Sequence, residues 1–428
     1  MHNDKIYKLF KQHPFIQTDT RLLKKGEIFF ALKGPNFNGN LFASKAIELG
    51  AAAVVVDEET GIEDPKIILV DNALTALQEL ALYHRKQFNI PFIAITGSNG
   101  KTTTKELIHA VLSTHFKTYT TKGNLNNHIG IPLTILSIKD DAEMAVIEMG
   151  ANHQKEIEGY CKVALPTHGI INNCGKAHME GFGGIEGVRK GKGELFDFLS
   201  NENGTAFVNS DLDYLVQMSE KIKQVIFYGN EKGNHKIRAI EKEPFLKLEL
   251  KDPGLGTQFF ETNLVGEYNC PNIDAAITVG LHFDISIEKI KDAIASYHPD
   301  NARSQLIQKG TNKIILDAYN ANPTSMKLAI ENIASMKAEK KILFLGGMME
   351  LGEYSIQEHS AIIDLLLKLD LQNVVLVGGD FENTIHPFTF FKTAADAENW
   401  LKEKPPVNSL ILIKGSRSVK MEKILEFF

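Results

Sequence analysis

The sequence is short of the features that would place the protein outside the cell or in a membrane. It has only three cysteines, Cys161, Cys174 and Cys270, which are widely spaced and form no metal-ligand pattern. This usage favours reduced thiols in a cytoplasmic protein over disulfides. No run of about 18 apolar residues occurs, and the N-terminus leads into no apolar signal segment. We therefore expect a soluble, cytoplasmic protein without membrane insertion.

A basic excess is also missing. The chain has 47 Lys and Arg against 53 Asp and Glu, a formal net charge of −6, and no strongly basic run. This balance gives no reason to expect a nucleic-acid partner. Hydrophobic residues make up 43% and charged residues 23%, which is typical of a soluble globular protein. The 428 residues exceed one ordinary core, so several domains are expected.

The most informative stretch that is present is a glycine-rich turn between a strand and a helix. Phe92 to Ile95 reads as a buried strand, the chain turns through Gly97 and Gly100, and Lys101 to Leu112 has helical apolar spacing. Backbone N–H groups at such a turn converge on one point, where a lysine and a hydroxyl complete a cradle for phosphate and magnesium. The Gly-x-x-Gly-Lys-Thr spacing is shorter than the general phosphate-loop pattern, and an ordinary βα turn is the alternative. We predict a nucleoside triphosphate site.

Polar residues follow two further predicted strands. Glu148 ends the strand that begins at Ala145, at the sheet edge where ligands bind in α/β proteins, and a glutamate there is either a magnesium ligand or simply solvated. His178 follows the strand from Gly169 to Cys174 and by itself favours a structural role. Between Thr120 and Pro132 the chain is dense in asparagines, which form either turns or contacts to a polar ligand; both interpretations stay open. These asparagines are Asn124, Asn126 and Asn127.

The order of predicted strands and helices indicates an α/β protein of three units. They are a small α/β unit over 1–87, a central unit with a mostly parallel sheet over 88–300, and a doubly wound, Rossmann-like unit over 301–428. Lys236 to Lys251 reads as exposed antiparallel strands without chemistry. Gly181 to Glu194 reads as a glycine-rich segment that enters a helix through Leu195, and its lysines are either solvated or directed at the phosphate site.

Together these motifs resemble the Mur ligase family, the ATP-dependent amino-acid and peptide ligases of peptidoglycan synthesis. The resemblance covers essentially the whole chain. It depends on the order and spacing of five segments: Thr96 to Thr103, Glu148 to Gly150, Asn173 with Ala177 and His178, Lys192 to Glu194, and Asn269 with Asn272. It implies a UDP-sugar domain, an ATP domain, and a C-terminal domain that contacts the incoming peptide and the nucleotide.

Within the family, the details are most similar to the members that add D-alanyl-D-alanine to UDP-N-acetylmuramoyl-tripeptide. These details are Tyr319 to Asn322, Gly123 to Thr134, Met349 to Gly352, Lys414 to Arg417, and Thr18 to Arg21 with Phe29 to Gly34. The resemblance implies that ATP phosphorylates the tripeptide carboxylate and that the dipeptide amine attacks the acyl phosphate. The alternatives are another Mur-type or folylpolyglutamate-type ligase, and a nucleotide-gated binding protein without catalysis.

The resemblance also implies roles for individual residues. The catalytic set is Lys101, Lys192, Glu148 and His178. The ATP-binding set is Gly97, Ser98, Asn99, Gly100, Lys101, Thr102, Thr103, Asn272, Arg303 and Asp317. The substrate set is Thr20, Arg21, Lys33, Asn124, Asn126, Asn127, Asn320, Asn322, Ser416 and Arg417. Magnesium, with two ions expected, is assigned to Thr102, Glu148, His178 and Lys192, the last as a CO₂-derived carbamate.

Two departures from the family pattern affect the ligand contacts. Asn38-Gly-Asn40 stands where an Asp-Gly-His is usual, and Tyr268 stands where a histidine often precedes the asparagine. The sequence leaves open whether the third residue of the tripeptide is diaminopimelate or lysine. We expect a monomer whose domains close on the substrates, because Arg303 and Asp317 lie beyond the predicted hinge.

Overall fold

The structure, a computed structural model of the chain, describes residues 2–300 and 302–428. Met1 and Asn301, which begin the predicted first and third units, lie outside the described residues. The N-terminal part contains a four-stranded parallel sheet in the order β1-β2-β5-β6, and a two-stranded ribbon of β3 and β4. Its elements are α1 (His2–Gln12), β1 (Ile16–Gln17), β2 (Ile28–Phe30), β3 (Lys33–Gly34), β4 (Phe37–Asn38), α2 (Ala43–Glu48), β5 (Ala53–Val56), β6 (Ile67–Leu69) and α3 (Ala73–Arg85).

The central part is built on a six-stranded, all-parallel sheet in the order β12-β11-β10-β7-β9-β8. Its strands are β7 (Phe92–Thr96), β8 (Thr118–Thr120), β9 (Met144–Glu148), β10 (His168–Ile171), β11 (Thr205–Asn209) and β12 (Gln224–Tyr228). The helices among and after them are α4 (Lys101–Leu112), α5 (Gly130–Leu136), α6 (Glu156–Ala164), α7 (Met179–Phe182), α8 (Ile185–Asn201), α9 (Asp213–Met218), α10 (Cys270–His282) and α11 (Ile287–Ser296). The carboxyl ends of β7, β9 and β10 therefore lie side by side.

A three-stranded antiparallel sheet covers one side of this part. It consists of β13 (Lys236–Glu241), β14 (Lys247–Asp252) and β15 (Gly256–Glu261). The predicted antiparallel pairing is confirmed, but the prediction of exposed strands was wrong for one face. Leu248 and Leu250 of β14 are fully buried, in the same apolar cluster as α4 and α10, because strand side chains alternate between two faces.

The C-terminal part has a six-stranded sheet in the order β16-β17-β21-β18-β19-β20. Only β16 runs antiparallel to its neighbour. The elements are β16 (Gln305–Lys309), β17 (Asn312–Asp317), α12 (Pro323–Ser335), β18 (Lys341–Gly346), α13 (Ser355–Lys368), β19 (Val374–Val377), β20 (Thr389–Phe391), α14 (Ala394–Glu403) and β21 (Leu410–Lys414). The doubly wound, mostly parallel arrangement predicted for this part is confirmed. No helix among the described residues is long and apolar enough to span a bilayer.

Helix α8 differs from the sequence-based expectation in where it begins. It begins at Ile185, so Lys192 lies in the middle of a helix and not in the segment that precedes one. A Cβ built on Gly191 would lie 2.4 Å from the Phe182 ring, so the missing side chain lets that ring pack against the helix backbone. Tertiary packing of this kind outweighs the low helix propensity of glycine, which costs about 1 kcal/mol per residue.

Candidate active site

The turn after β7 has the backbone that a phosphate loop requires. Gly97 and Gly100 adopt φ values of +145° and +80°, which side-chain-bearing residues rarely adopt. A Cβ at Gly100 would lie 2.5 Å from Oδ1 of Asn272, so no larger residue fits without displacing that side chain. Helix α4 then starts at Lys101, and Lys101, Thr102 and Thr103 of its first turn line a cavity. The loop is therefore shaped for close approach of an anion.

The Lys101 side chain folds back over the loop. Its Nζ donates to the carbonyl oxygen of Gly97 at 2.6 Å. Burial lowers the pKa of Lys101, the nearby carboxylate of Glu148 opposes this effect, and the guanidinium of Arg303 adds to it. An anion in the loop would favour the charged ammonium and offset these costs. Lys101 is thus a half-buried cation suited to an anionic ligand.

Glu148 and Thr102 meet where β9 ends beside the start of α4. The Thr102 hydroxyl donates to Oε2 of Glu148 at 2.9 Å, and the Asn126 amide donates to Oε1 at 2.8 Å. Glu148 is only 2% exposed, so its orientation is fixed by these two donors. The predicted magnesium pair is therefore in contact, and Asn126 of the asparagine-rich segment holds its carboxylate.

The segment after β10 braces the phosphate loop from the other side. The Ser98 backbone N–H donates to the carbonyl oxygen of Asn173 at 2.9 Å, and the Asn99 N–H donates to Oδ1 of Asn173 at 3.0 Å. The Ser98 hydroxyl donates to the Gly175 carbonyl at 2.9 Å. These bonds tie the loop conformation to the chain that leads to His178.

Asn272 lies behind the loop in a buried network of amides. Its Oδ1 accepts from the Thr104 hydroxyl at 3.0 Å, and its Nδ2 donates to Oδ1 of Asn269 at 2.8 Å. Asn172 donates to the Thr104 hydroxyl oxygen at 2.7 Å. In this arrangement Asn272 both lines the cavity and fixes the first turn of α4.

Lys192 is a buried amine beneath the cavity floor. It is 1% exposed, its Nζ donates to the Ala151 carbonyl at 2.9 Å, and it lies 5.0 Å from the centre of the Phe182 ring. Burial lowers the pKa of Lys192 from 10.5 to about 7, and the positive charge of Lys101 adds to the effect. A substantial fraction of the amine is therefore neutral near pH 7.

The C-terminal part supplies the opposite wall. The Arg303 guanidinium lies 3.7 Å from the centre of the Tyr319 ring, and the Arg417 guanidinium lies 5.4 Å from the same ring. Asp317 pairs with the buried Lys414 at 2.5 Å. Arg303, Asp317 and Lys414 thus place two cations and one carboxylate opposite the phosphate loop.

The two walls also touch each other directly. His178 hydrogen-bonds Glu350 through Nδ1, and this contact lowers the pKa of the Glu350 carboxyl. Asn322 caps α12 by accepting from the Ser325 N–H at 2.9 Å, and its amide donates to Oδ1 of Asn99 at 2.8 Å. We call this arrangement, with the C-terminal part in contact with the phosphate loop, the closed arrangement.

The cavity between the walls has a volume of about 490 Å³. Most of the predicted site residues line it: Ser98, Asn99, Gly100, Lys101, Thr102, Thr103, Asn126, Asn127, Glu148, His178, Asn272, Arg303, Asp317, Asn320 and Asn322. The other predicted residues are outside its wall: Gly97, Lys192, Thr20, Arg21, Lys33, Asn124, Ser416 and Arg417.

The residues outside the wall fall into distinct environments. Arg21 makes a bidentate pair with Asp19, and Lys33 bridges Asp57 and Glu58, both on the N-terminal part. The Ser416 hydroxyl is buried and donates to the Ala321 carbonyl at 3.2 Å. Its neighbours therefore make Ser416 a brace of the cavity wall, and contact with a dipeptide stays a prediction.

Sequence reasoning gave no site role to several residues that line the cavity. Tyr319, Lys414 and Glu350 lie in segments that carry the family resemblance, but the sequence does not mark them individually as site residues. The partner of Glu350 is 172 residues away in the chain, so no local pattern marks the contact. A signal for Lys414 existed, since it ends a strand beside Asp317 at the carboxyl edge of the sheet.

The sequence matches three known protein-family models, one for each part of the structure. The "Mur ligase family, catalytic domain" matches residues 13–96, the "Mur ligase middle domain" matches 95–280, and the "Mur ligase, glutamate ligase domain" matches 302–417. The matches account for nearly the whole chain, in order.

The chain belongs to the Mur ligase family.

Several of the similar Mur ligases are named for one reaction. The chain is 34% identical over 425 residues to the UDP-N-acetylmuramoyl-tripeptide–D-alanyl-D-alanine ligase of Bacillus subtilis, covering 96% of this chain and 92% of that protein. A crystal structure of MurF from Acinetobacter baumannii superposes with a TM-score of 0.86 at 33% identity, covering 96% and 92% of the two chains. MurF from Thermotoga maritima in complex with ADP gives a TM-score of 0.87 at 27% identity, covering 97% and 96%.

Proposed function

We propose that this protein is an ATP-dependent ligase that joins D-alanyl-D-alanine to UDP-N-acetylmuramoyl-tripeptide. The observation that carries the proposal is the 34% identity, over nearly all of both chains, to a Mur ligase named for that reaction. The cavity supports it, because a phosphate loop, a buried carboxylate and a second cationic wall converge there. The proposed enzyme acts as a monomer in the cytoplasm.

The phosphate loop is the place for the triphosphate of ATP. The N–H groups of the first turn of α4 and the Lys101 ammonium would hold the β- and γ-phosphates. Asn272 behind the loop, and Arg303 and Asp317 on the opposite wall, would hold the rest of the nucleotide. Gly100 supports this fit, because a Cβ there would press on the side chains of Asn272 and Asn172 behind the loop.

Thr102 and Glu148 suit magnesium, which usually takes one or two protein oxygens together with phosphate oxygens and water. The described residues contain no cluster of three His, Cys, Asp or Glu side chains that could hold a metal alone, so phosphate would complete the shell. Bound magnesium would neutralise charge on the transferred phosphoryl group. His178 would serve a second ion, although it now pairs with Glu350.

The reaction has two covalent steps. An oxygen of the tripeptide carboxylate forms a bond to the γ-phosphorus of ATP, and the bond to the β-phosphate oxygen breaks, giving an acyl phosphate and ADP. The dipeptide amine then attacks the carbonyl carbon, loses a proton, and expels phosphate. Lys101 and Arg303, on opposite walls, would stabilise the anionic phosphoryl group in both steps.

Lys192 would contribute as a carbamate. Its neutral amine adds to CO₂ and releases a proton, which converts a cation into a carboxylate-like oxygen ligand. A pKa of about 7 favours this reaction, because the ammonium form has no lone pair. Lys192 does not line the cavity, but its Nζ donates to the carbonyl oxygen of Ala151, which does.

The experiment is a turnover assay of the purified protein with ATP, magnesium and D-alanyl-D-alanine. The diaminopimelate and lysine forms of the UDP-linked tripeptide are tested side by side. We expect ADP, phosphate and the UDP-linked pentapeptide from at least one form, and none when the dipeptide is omitted. Turnover with a single amino acid and a shorter acceptor, but none with the dipeptide, would make the protein a different Mur ligase. Nucleotide binding without turnover would favour the binding-protein alternative.

A further inference from the structure

Lys176 joins two helices of the C-terminal part from a position on the central part. Its Nζ pairs with Oε1 of Glu358 on α13 at 2.6 Å, and its backbone N–H donates to the Thr324 hydroxyl on α12 at 3.2 Å. Both partners are more than 140 residues away in the chain, the separations being 182 and 148. One residue therefore contacts the C-terminal part through both backbone and side chain.

The segment that carries Lys176 is the one that braces the phosphate loop. Asn173 accepts from the backbone N–H groups of Ser98 and Asn99, and Gly175 donates to the Ser98 hydroxyl oxygen at 3.0 Å. Lys176 follows Gly175 directly. The phosphate loop and helix α13 are thus connected through four consecutive residues.

The ion pair is asymmetric in burial. The Glu358 side chain is 7% exposed and the Lys176 side chain is 52% exposed. A buried carboxylate that loses its partner is costly, whereas the exposed ammonium loses little when it returns to water. Glu358 also lies in the first turn of α13, where the helix dipole favours an anion. Loss of Lys176 would therefore destabilise the closed arrangement, in which the Glu358 carboxylate is buried and paired with Lys176.

We propose that Lys176 is a positioning residue that holds the C-terminal part on the phosphate loop. It acts through Glu358 and brings Arg303, Asp317 and Lys414 to the cavity. Its importance for turnover rests on the proposed ligase function, but its effect on closure and nucleotide affinity does not.

The test replaces Lys176 by methionine, which keeps most of the length of the side chain and removes the charge. The matched control is Lys162→Met, because Lys162 pairs with Glu158 at the same distance of 2.6 Å but within α6 on the exposed surface. Compaction is followed by small-angle scattering against the concentration of a non-hydrolysable ATP analogue, and the dissociation constant is measured by calorimetry.

We expect Lys176→Met to weaken analogue binding and raise the concentration needed for compaction by about tenfold, within the usual range of coupling between sites. Lys162→Met should match the wild type. In the turnover assay, kcat/KM for ATP should fall by a similar factor. Equal behaviour of the two variants, or an unchanged Lys176→Met, would overturn the proposal. Lost turnover with unchanged binding and compaction would also overturn it.

A double-mutant cycle with Glu358→Gln separates positioning from a general loss of folding. The glutamine removes the buried charge, so Lys176→Met should cost little more in that background. Each variant's melting temperature is measured alongside, and all should lie close to that of the wild type. Additive losses in analogue binding would show that Lys176 does not act through Glu358, and would reject the mechanism. The scattering and calorimetry need neither tripeptide nor dipeptide, so failure of the ligase proposal would leave this result intact.

Discussion

At the scale of single residues, burial determines what each charged group can do. The half-buried Lys101 and the buried Lys192 both have lowered pKa values, but only Lys101 lines the cavity. Lys101 lines the cavity, where an anionic ligand would favour its charged form. Lys192 donates only to the Ala151 carbonyl, a partner that a neutral amine keeps as well as an ammonium does. The two lysines are therefore suited to opposite forms, charged and neutral.

Replacing Lys192 by alanine should reduce turnover by at least about a hundredfold and leave the affinity for ATP nearly unchanged, because the amine is absent from the nucleotide wall. Short carboxylic acids should restore part of the activity if a carbamate is the working form. The control is Lys190→Ala, an exposed lysine on the same helix. Undiminished turnover of Lys192→Ala would exclude the carbamate.

The lowered pKa of Lys192 also predicts a pH dependence. The pKa is about 7, so the neutral amine that reacts with CO₂ predominates above pH 7 and declines below it. Activity after equilibration with bicarbonate should therefore rise as pH increases from about 6 to 8. Carbon-13 NMR with labelled bicarbonate should show a carbamate signal that follows the same curve and is missing in Lys192→Ala. A signal independent of Lys192 would contradict the assignment.

At the scale of elements, sequence patterns predicted those helix bounds that depend on neighbouring residues in the chain. The bounds of α4, Lys101–Leu112, follow from the glycine turn and the apolar spacing, and the structure has the same bounds. Helix α8 was placed too late, because its glycines make room for a ring from α7, which no local pattern reveals. The N-terminal helix α1 was missed altogether, although Ile6 and Phe10 bury one of its faces.

Gly100→Ala tests the turn that joins β7 to α4. Its control is Gly123→Ala, since Gly123 also has a positive φ, +55°, but a Cβ added there would have no neighbour within 4 Å. Both substitutions impose backbone strain of about 1–3 kcal/mol on the free energy of unfolding. Only Gly100→Ala displaces Asn272, so it should weaken binding of ATP more than tenfold in calorimetry. Equal affinities in the two variants would refute this role for Gly100.

At the scale of the whole molecule, the sequence indicated the parts and their order but not their contacts. The contacts of Lys176 with Glu358 and of Asn322 with Asn99 join residues 182 and 223 positions apart. Such pairs leave no periodic trace in one sequence, because each residue looks like an ordinary surface lysine or helix cap. The sequence likewise did not indicate that the predicted N-terminal substrate residues lie outside the cavity.

Because the N-terminal substrate residues lie outside the nucleotide cavity, a mutation there should change the KM for the UDP-linked tripeptide without changing the KM for ATP. Arg21→Gln should raise KM for the UDP-linked tripeptide several-fold and leave KM for ATP unchanged, because Arg21 lies on the N-terminal part, outside the nucleotide cavity. The control is Arg238→Gln, another exposed arginine paired with a carboxylate, Glu249. A change in KM for ATP, or none in KM for the tripeptide, would count against the assignment of Arg21.

The cavity wall that comes from two parts of the chain has a thermodynamic consequence for inhibition. A ligand that contacts both walls can bind fully only to the closed arrangement, so it shifts the population toward it. By reciprocity of binding free energies, such a compound tightens the binding of another ligand that prefers this arrangement and occupies a separate place, and that ligand tightens the compound by the same factor. An inhibitor that contacts both walls but leaves the phosphate loop, Arg303 and Asp317 free for the nucleotide would therefore be aided, and not displaced, by a high cellular concentration of ATP.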